Sequence, residues 1–464
     1  MSDAKRVEGS FRDPSGFVFL KDGVIYRQVN KSYQQHYDLL KSSGLYDRLI
    51  SRSYLVPHTE VDHPPMCQDD AYKILRPQRI PFISYPYEWS FSQVKDAALV
   101  TLAVLKQSLG HDLILKDASA YNVQFLAGKP IFMDTLSFET YQEGQPWHGY
   151  RQFCQHFLAP LALMSYKDIR LSRLLREYID GIPLDLAVSL LPRRSYLNVG
   201  LVTHLHLHAR AQQRYAGKPA PAVSSGGTRL GKRSLMNIAD NLQSTIERLS
   251  WDPGKTSWSD YYAGDSYQET GFDSKVKIVA SFIREAKPRH VWDLGANTGV
   301  FSRVASQSGI FTVSIDSDPG AVEANYLFGK QRQEENLHPL LVDLTNPTGA
   351  SGWANSERES LVKRSRADCI LALALIHHLA IANNVPLDKI ARFFASLAEW
   401  AIVEFVPKSD KKVQQLLVAR DDIFVDYTRA GFEREFGSVY DVQMSAPIEN
   451  SQRLIYLLRR RQRA

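Results

Sequence analysis

The stretch VWDLGANTGVFS, residues 291–302, constrains the fold of this chain more than any other. The apolar run 290–294 reads as a buried strand. It meets the pattern Asp293-x-Gly295-x-x-x-Gly299, after which the residues turn helix-like. A strand that must turn at once into a helix needs Gly295 for the sharp bend, and Gly299 lets the helix start close against the strand. The same glycines bare the backbone to a ligand. By themselves they suit a ligand-free turn equally well.

The residues that follow repeat the theme. Strands are predicted at 290–294, 311–315, 338–342, 369–376, 401–405 and 454–458, and helices at 275–285, 320–329, 387–397 and 411–419. This alternation predicts an α/β, Rossmann-like fold with helices on both faces of a parallel sheet. The strands are short unbroken apolar runs, as burial of both faces requires. Asp293 ends the first predicted strand, Asp316 the second, about 20 residues beyond the loop, and Asp343 the third. Such sheets bind ligands at the carboxyl ends of their strands.

A nicotinamide site would use G-x-G-x-x-G, a loop shaped for pyrophosphate. Here the spacing is G-x-x-x-G with Asp293 before it, and a carboxylate there suits a cationic ligand better. The combination resembles class I S-adenosylmethionine-dependent methyltransferases, from about Trp258 to the C-terminus. The resemblance implies that Asp293, Gly295 and Gly299 contact the methionine portion, with Asn297 in the loop between them. It implies that Asp316 holds the ribose and Asp343 meets the adenine amino group. Ala296-Asn297-Thr298 stands where the commonest form has a middle glycine. His377 and His378, after the fourth strand, and Glu404, at the fifth, are the candidate bases for deprotonating an acceptor hydroxyl. The bland alternative is that one histidine caps the strand end and the other packs in the core, with orientation supplying the catalysis.

The first half carries LKDASAYNVQFLAGKPIFMDTLSFE. Asp117 and Asn122 have the D-x-x-x-x-N spacing of a kinase catalytic loop, and Asp134 follows a strand–turn–strand where kinases place a metal-binding Asp. This half resembles a reduced, α+β kinase-like domain, with the hairpin 17–29 as its small lobe and Arg27 where a phosphate-holding Lys is expected. IPFISYPYEWSF reads as a strand leaving into a hinge. Asn122 and Asp134 are the candidate magnesium ligands, with weak Mg-ATP binding the most expected of them. Leu115-Lys116 before the acid, Asp134-Thr135-Leu136 in place of D-F-G and the missing glycine-rich loop predict a degenerate site.

Residues 217–233, GKPAPAVSSGGTRLGKR, read as a linker. The expected organisation is a kinase-like domain over 1–216, the linker, and a methyltransferase domain over 234–464. Both halves together resemble a bacterial family of nodulation-protein NoeA-like methyltransferases. That resemblance implies a small-molecule, glycan or lipid-linked sugar acceptor. A bifunctional kinase–methyltransferase and a non-catalytic S-adenosylmethionine- or nucleotide-binding protein are the alternatives.

Composition narrows the partners. Of 464 residues, 44% are apolar and 23% charged, with a net charge of +6. No apolar run approaches the ~18 residues of a membrane helix. The first residues lack the apolar core of a secretory signal, and three scattered cysteines make no disulfide framework, so a cytoplasmic protein is expected. Arg459, Arg460, Arg461 and Arg463 read as a solvated end rather than a nucleic-acid site. His204, His206 and His208 lack an acidic or cysteine partner for a metal. Trp147, Tyr150, Phe153 and Phe157 read as a packing stripe. The oligomeric state is left open.

Overall fold

The computed structural model describes residues 4–215, 231–254, 269–364, 366–418 and 421–462. Two compact units divide them. The first runs to Asp252 and includes Ser351–Arg358. The second is Pro253–Ala350 with Glu359–Ala464. Among the described residues no helix is long and apolar enough to cross a membrane.

The division therefore differs from the one expected at 217–233. Residues 217–230 of that linker lie outside the described residues. From Lys232 the chain forms a helix, Lys232–Arg248, that belongs to the first unit. Its buried residues Leu235, Ala239, Leu242 and Ile246 recur at helical spacing, and such a stripe must be covered. The cover is the long helix Phe91–Leu109. Lys95 Nζ reaches the carbonyls of Glu247 and Leu249 at 2.8 Å, and Lys106 pairs with Asp240. The amphipathic stripe decides which unit the segment joins.

The first unit is α+β. β1 (Lys5–Arg6), β2 (Gly16–Lys21), β3 (Val24–Asn30), β4 (His58–Glu60) and β5 (Ala71–Pro77) make one antiparallel sheet in the order β1-β2-β3-β5-β4. The hairpin between β2 and β3 turns on Asp22 and Gly23, both at positive φ, the geometry an Asp-Gly pair favours. The hairpin expected at 17–29 is thus part of a larger sheet. The strand expected just before the hinge lies upstream, at β5, and Pro86–Glu88 forms a single 3-10 turn. Ser90 and Gln93 then cap the helix Phe91–Leu109 reciprocally. That capping box satisfies two otherwise bare N–H groups. β6 (Leu113–Leu115) pairs with β9 (Phe138–Thr140), and β7 (Val123–Leu126) with β8 (Lys129–Phe132). These short pairs bracket Asp117, Asn122 and Asp134.

In the second unit, β10 (His290–Leu294), β11 (Phe311–Asp316), β12 (Leu337–Leu341), β13 (Ala367–Ala372), β14 (Ala398–Phe405), β15 (Tyr440–Pro447) and β16 (Leu454–Arg460) form one sheet ordered β12-β11-β10-β13-β14-β16-β15. The first five are parallel, and β16 runs antiparallel to β14 and β15. Val291, Phe301, Cys369, Leu371, Ile402 and Leu457 sit in one buried cluster with Val279 and Phe282 of the helix Glu269–Ala286. The fourth strand stops at Ala372, short of the expected end, because the chain turns at Ala374 with φ +52°. β15 was absent from the predicted strands. After Tyr440 its residues are exposed or half-exposed on both faces, so no apolar alternation marks it.

Candidate functional site

Chain order reverses across the sheet between β10 and β13, the switch point where open α/β sheets form a crevice. Gly295 and Gly299 adopt φ of +71° and +79°. A Cβ at 299 would come 2.5 Å from the Asn325 side chain, and one at 295 would come 3.0 Å from Leu375. Asn325 Nδ2 donates to Ser314 Oγ at 2.8 Å, and Ser302 Oγ lies 3.0 Å from Ser314 Oγ and 2.6 Å from Asp293. Asp293 is therefore buried beneath the loop, bonded to the helix Val300–Ser306 that the loop begins. Burial pushes its carboxyl up to about 6, against the Ser302 hydrogen bond and the charge of Lys275.

The second acid is tied to the first loop. Asn297, at φ +51°, donates its N–H to Asp316 Oδ2 at 2.7 Å, and the Asp318 N–H donates to Oδ1 at 2.9 Å. Each oxygen keeps acceptor capacity for a further donor. Burial raises the Asp316 carboxyl against these bonds. Asp343 Oδ1 accepts from the Thr345 N–H at 2.9 Å and its hydroxyl at 2.6 Å, a side-chain turn that fixes the chain leaving β12. The non-glycine residues Asn297 and Ala374 both hold positive φ beyond the ends of neighbouring strands. Strain of this kind concentrates at functional sites.

His377 is fully buried, and neither ring nitrogen has a hydrogen-bond partner. Burial, then His378 and Arg453, hold it well below the usual imidazole range, so it is neutral. The His378 ring lies 4.2 Å from it and is half-buried. Burial, with Lys412, pushes His378 down to about 4.

Glu404 does not fit the role of a base. It is fully buried, with Lys275 Nζ at 2.6 Å and Arg453 Nη1 at 3.1 Å, while Arg453 also pairs with Asp410 at 2.7 Å. A carboxylate locked between two cations is a structural counter-ion, since losing it would leave buried charge uncompensated. Lys275 and Arg453 went unnoticed in the sequence. A lysine on a helix reads as solvated, yet this one is 2% exposed with its ammonium 4.4 Å from the Phe301 ring.

In the first unit, Asp117, Asn122 and Asp134 are brought together. Asp117 accepts from the Ser119 N–H at 3.0 Å and from the Asn122 and Gln152 side chains. Burial and the nearby Asp134 nonetheless raise it. Asp134 is engaged on both oxygens. Oδ1 takes Arg27 at 2.5 Å and the Leu136 N–H at 3.1 Å, and Oδ2 takes the Ser137 hydroxyl. Burial pushes Asp134 up, but Arg27, Ser137 and Leu136 together hold it below the usual carboxylate range. Asn122 Nδ2 turns to Ser137 Oγ at 3.3 Å. At the pair expected to hold magnesium, Asn122 and Asp134, the Arg27 guanidinium lies against the Asp134 carboxylate. Among the described residues no cluster of three or more His, Cys, Asp or Glu could hold a metal.

The other candidates are structural. His204 bonds Tyr150 at 2.7 Å and Asn241 at 2.8 Å, and His206 bonds Ser195 at 2.9 Å. Arg459 pairs with Glu399 at 2.9 Å and Arg461 with Asp441 at 3.0 Å, so most of the basic end is stitched to the sheet; Arg463 lies outside the described residues.

No protein-family model matches the chain. Three solved structures overlay about two fifths of it. Magnesium protoporphyrin IX methyltransferase (ChlM) from Synechocystis PCC 6803 with bound SAH is 16% identical, with 43% of this chain and 91% of that one covered and a TM-score of 0.31. N-methyltransferase NodS from Bradyrhizobium japonicum WM9 is 7% identical, with coverage of 42% and 99% and a TM-score of 0.32. The bifunctional kinase-methyltransferase WbdD is 15% identical, with coverage of 46% and 45% and a TM-score of 0.30. Similarity at this level fixes neither activity nor ligand. Nodulation protein NoeA of Rhizobium meliloti (strain 1021) is 36% identical over 460 residues, spanning 98% of this chain and 96% of that protein. The chain belongs to the NoeA family.

Proposed function

We propose that the protein is an S-adenosylmethionine-dependent methyltransferase acting through its second unit. The observation that carries this reading is the placement of Asp293, Asp316 and Asp343 at the carboxyl ends of three neighbouring parallel strands, with the Gly295–Gly299 turn beside the sheet's switch point. The residues fit the group. Gly295 and Gly299 hold the positive φ that turns the loop at the strand end, and the His377 ring is a buried polar group without a partner beyond the neighbouring strand. Asp316 would hold the ribose hydroxyls, Asp343 the adenine amino group through Oδ2, and the loop backbone with Asn297 the methionine portion. Asp293 would brace the loop and place negative charge near a cationic ligand.

Bound S-adenosylmethionine supplies a methyl group activated by a sulfonium. The chain's own work is to orient the acceptor and exclude water. The acceptor is a small molecule or glycan that presents a hydroxyl. His378, neutral at pH 7 and half-buried, is the group to take its proton, and His377 packs behind it. The first unit is kinase-like and degenerate. The retained Asp117 and Asn122 spacing favours a bifunctional kinase–methyltransferase as second reading, and the Arg27–Asp134 pair opposes it.

The test is calorimetry on the full chain with S-adenosylmethionine, Mg-ATP and NAD in turn. S-adenosylmethionine binds and NAD does not. Asp316→Ala weakens binding about ten- to a hundredfold, as lost hydrogen bonds to a charged acceptor require. Unchanged affinity in a folded Asp316→Ala chain removes the assignment.

A further inference from the structure

The segment Ser351–Arg358 stands apart. In the chain it lies between the third and fourth strands of the second sheet, yet it is part of the first compact unit. Its stem is closed by the Ser351 and Arg358 backbones, which exchange bonds of 3.0 and 3.1 Å, and the Leu361 N–H donates to the Thr348 carbonyl at 3.1 Å just beyond. What holds it is a fork. Arg12 Nε and Nη2 donate to Glu357 Oε2 and Oε1 at 3.0 and 2.6 Å, and the Trp353 N–H adds a third bond to Oε1 at 2.9 Å. Bidentate guanidinium–carboxylate pairs fix orientation as well as distance. The Glu357 side chain is 1% exposed, whereas Arg12 is 58% exposed. The Arg12 bond holds the Glu357 carboxyl below its usual range despite burial.

Two further contacts show a fitted seat. A Cβ at Gly9 would run into the Glu357 carbonyl. The Arg358 guanidinium lies 4.2 Å from the Tyr121 ring, directly before Asn122 in the acid-bearing loop. The chain entering this segment is the one that leaves Asp343, and a loop anchored at its far end has fewer conformations to lose when a ligand orders it.

We propose that Arg12 and Glu357 form a clamp that pre-orders residues 344–360 and thereby sets the affinity of the Asp343 site for S-adenosylmethionine. Both residues are positioning residues. The proposal rests on the cofactor reading above.

The experiment uses the full chain and the variants Arg12→Ala and Arg12→Lys. Arg12 is chosen because truncating a largely exposed side chain leaves the core intact. Two quantities are measured: amide hydrogen exchange over 344–360 without ligand, and the affinity for S-adenosylmethionine. Arg12→Ala is expected to speed exchange in that segment and to weaken binding about tenfold, with Arg12→Lys between it and the wild type. Unchanged exchange in Arg12→Ala overturns the clamp. Faster exchange with affinity within about twofold of wild type overturns its link to the cofactor site. If the wild type binds no S-adenosylmethionine, the cofactor reading fails, and exchange still tests the clamp by itself.

Discussion

Asp134 and Asp316 make an instructive pair. Both sit where a strand has just ended, both are tied to a neighbouring loop, and both were singled out as ligand-holding acids. Their donors differ in kind. Asp134 receives a guanidinium, a hydroxyl and a backbone N–H, so its charge is balanced from within. Asp316 receives backbone N–H groups, those of Asn297, Asp318 and Ser317, which orient it without cancelling its charge. A carboxylate with full-charge compensation has little left to offer a ligand. One held by peptide dipoles is poised for ligand hydroxyl or amino groups. The same kind of spacing therefore meets a self-compensated acid in the first unit and an acid with acceptor capacity left in the second.

The largest expected effect tests whether the second unit also hides a self-compensated acid. Glu404→Ala leaves Lys275 buried without its partner and should cost about 3–5 kcal/mol of stability in denaturant unfolding. A loss confined to turnover, with stability unchanged, would restore Glu404 as a base. Next comes the histidine pair. His378→Ala should lower turnover about a hundredfold while cofactor affinity holds. Full turnover in both His377→Ala and His378→Ala would make the pair structural.

A pH series sharpens the contrast further. Asp293 titrates near 6 in the folded chain, above its unfolded value of about 3.9. The folded state therefore holds the extra proton between those values. The group's contribution to stability is greatest below the unfolded value and is lost as pH rises through 6. A cationic ligand prefers the ionised form, so affinity for S-adenosylmethionine should rise with pH up to about 6, by at most about tenfold per unit. Asp293→Asn should flatten that slope. The smallest effect belongs to the first unit. Chelating magnesium, or comparing wild type with Asp134→Ala in the presence of Mg-ATP, should change methyl transfer by less than about twofold. Phosphorylation of the acceptor that is lost in Asp134→Ala would erase the difference between the two units.

Much of the second unit was legible because burial writes itself into apolar runs. The strands 290–294 and 454–458 and the helix 387–397 come out near their observed bounds, and the glycine loop lies where the turn demands it. Charges were harder to read. Nothing local distinguishes the buried Lys275 from a solvated helix lysine, and Arg453 finds Glu404 only after the sheet has formed. The Arg12–Glu357 pair joins residues from distant parts of the chain, and no periodicity reports such a contact. In the first unit the spacing marks the acids, but the Arg27–Asp134 pair joins residues more than a hundred positions apart and no local pattern reports it.

The strand β15 presents an exposed edge. β15 ends the sheet, and beyond Tyr440 it is largely exposed on both faces, a long row of main-chain groups on which another molecule could build. Its register against β16 skips at Gln443, between Val442 and Met444. The extra residue bends and twists the edge and spoils the straight template that fibrils need. Pro447 removes one donor at its end, and Asp441 carries a charge paired with Arg461. Deleting Gln443 is expected to straighten this border, and light scattering of that variant against the wild type reads whether the straighter edge associates.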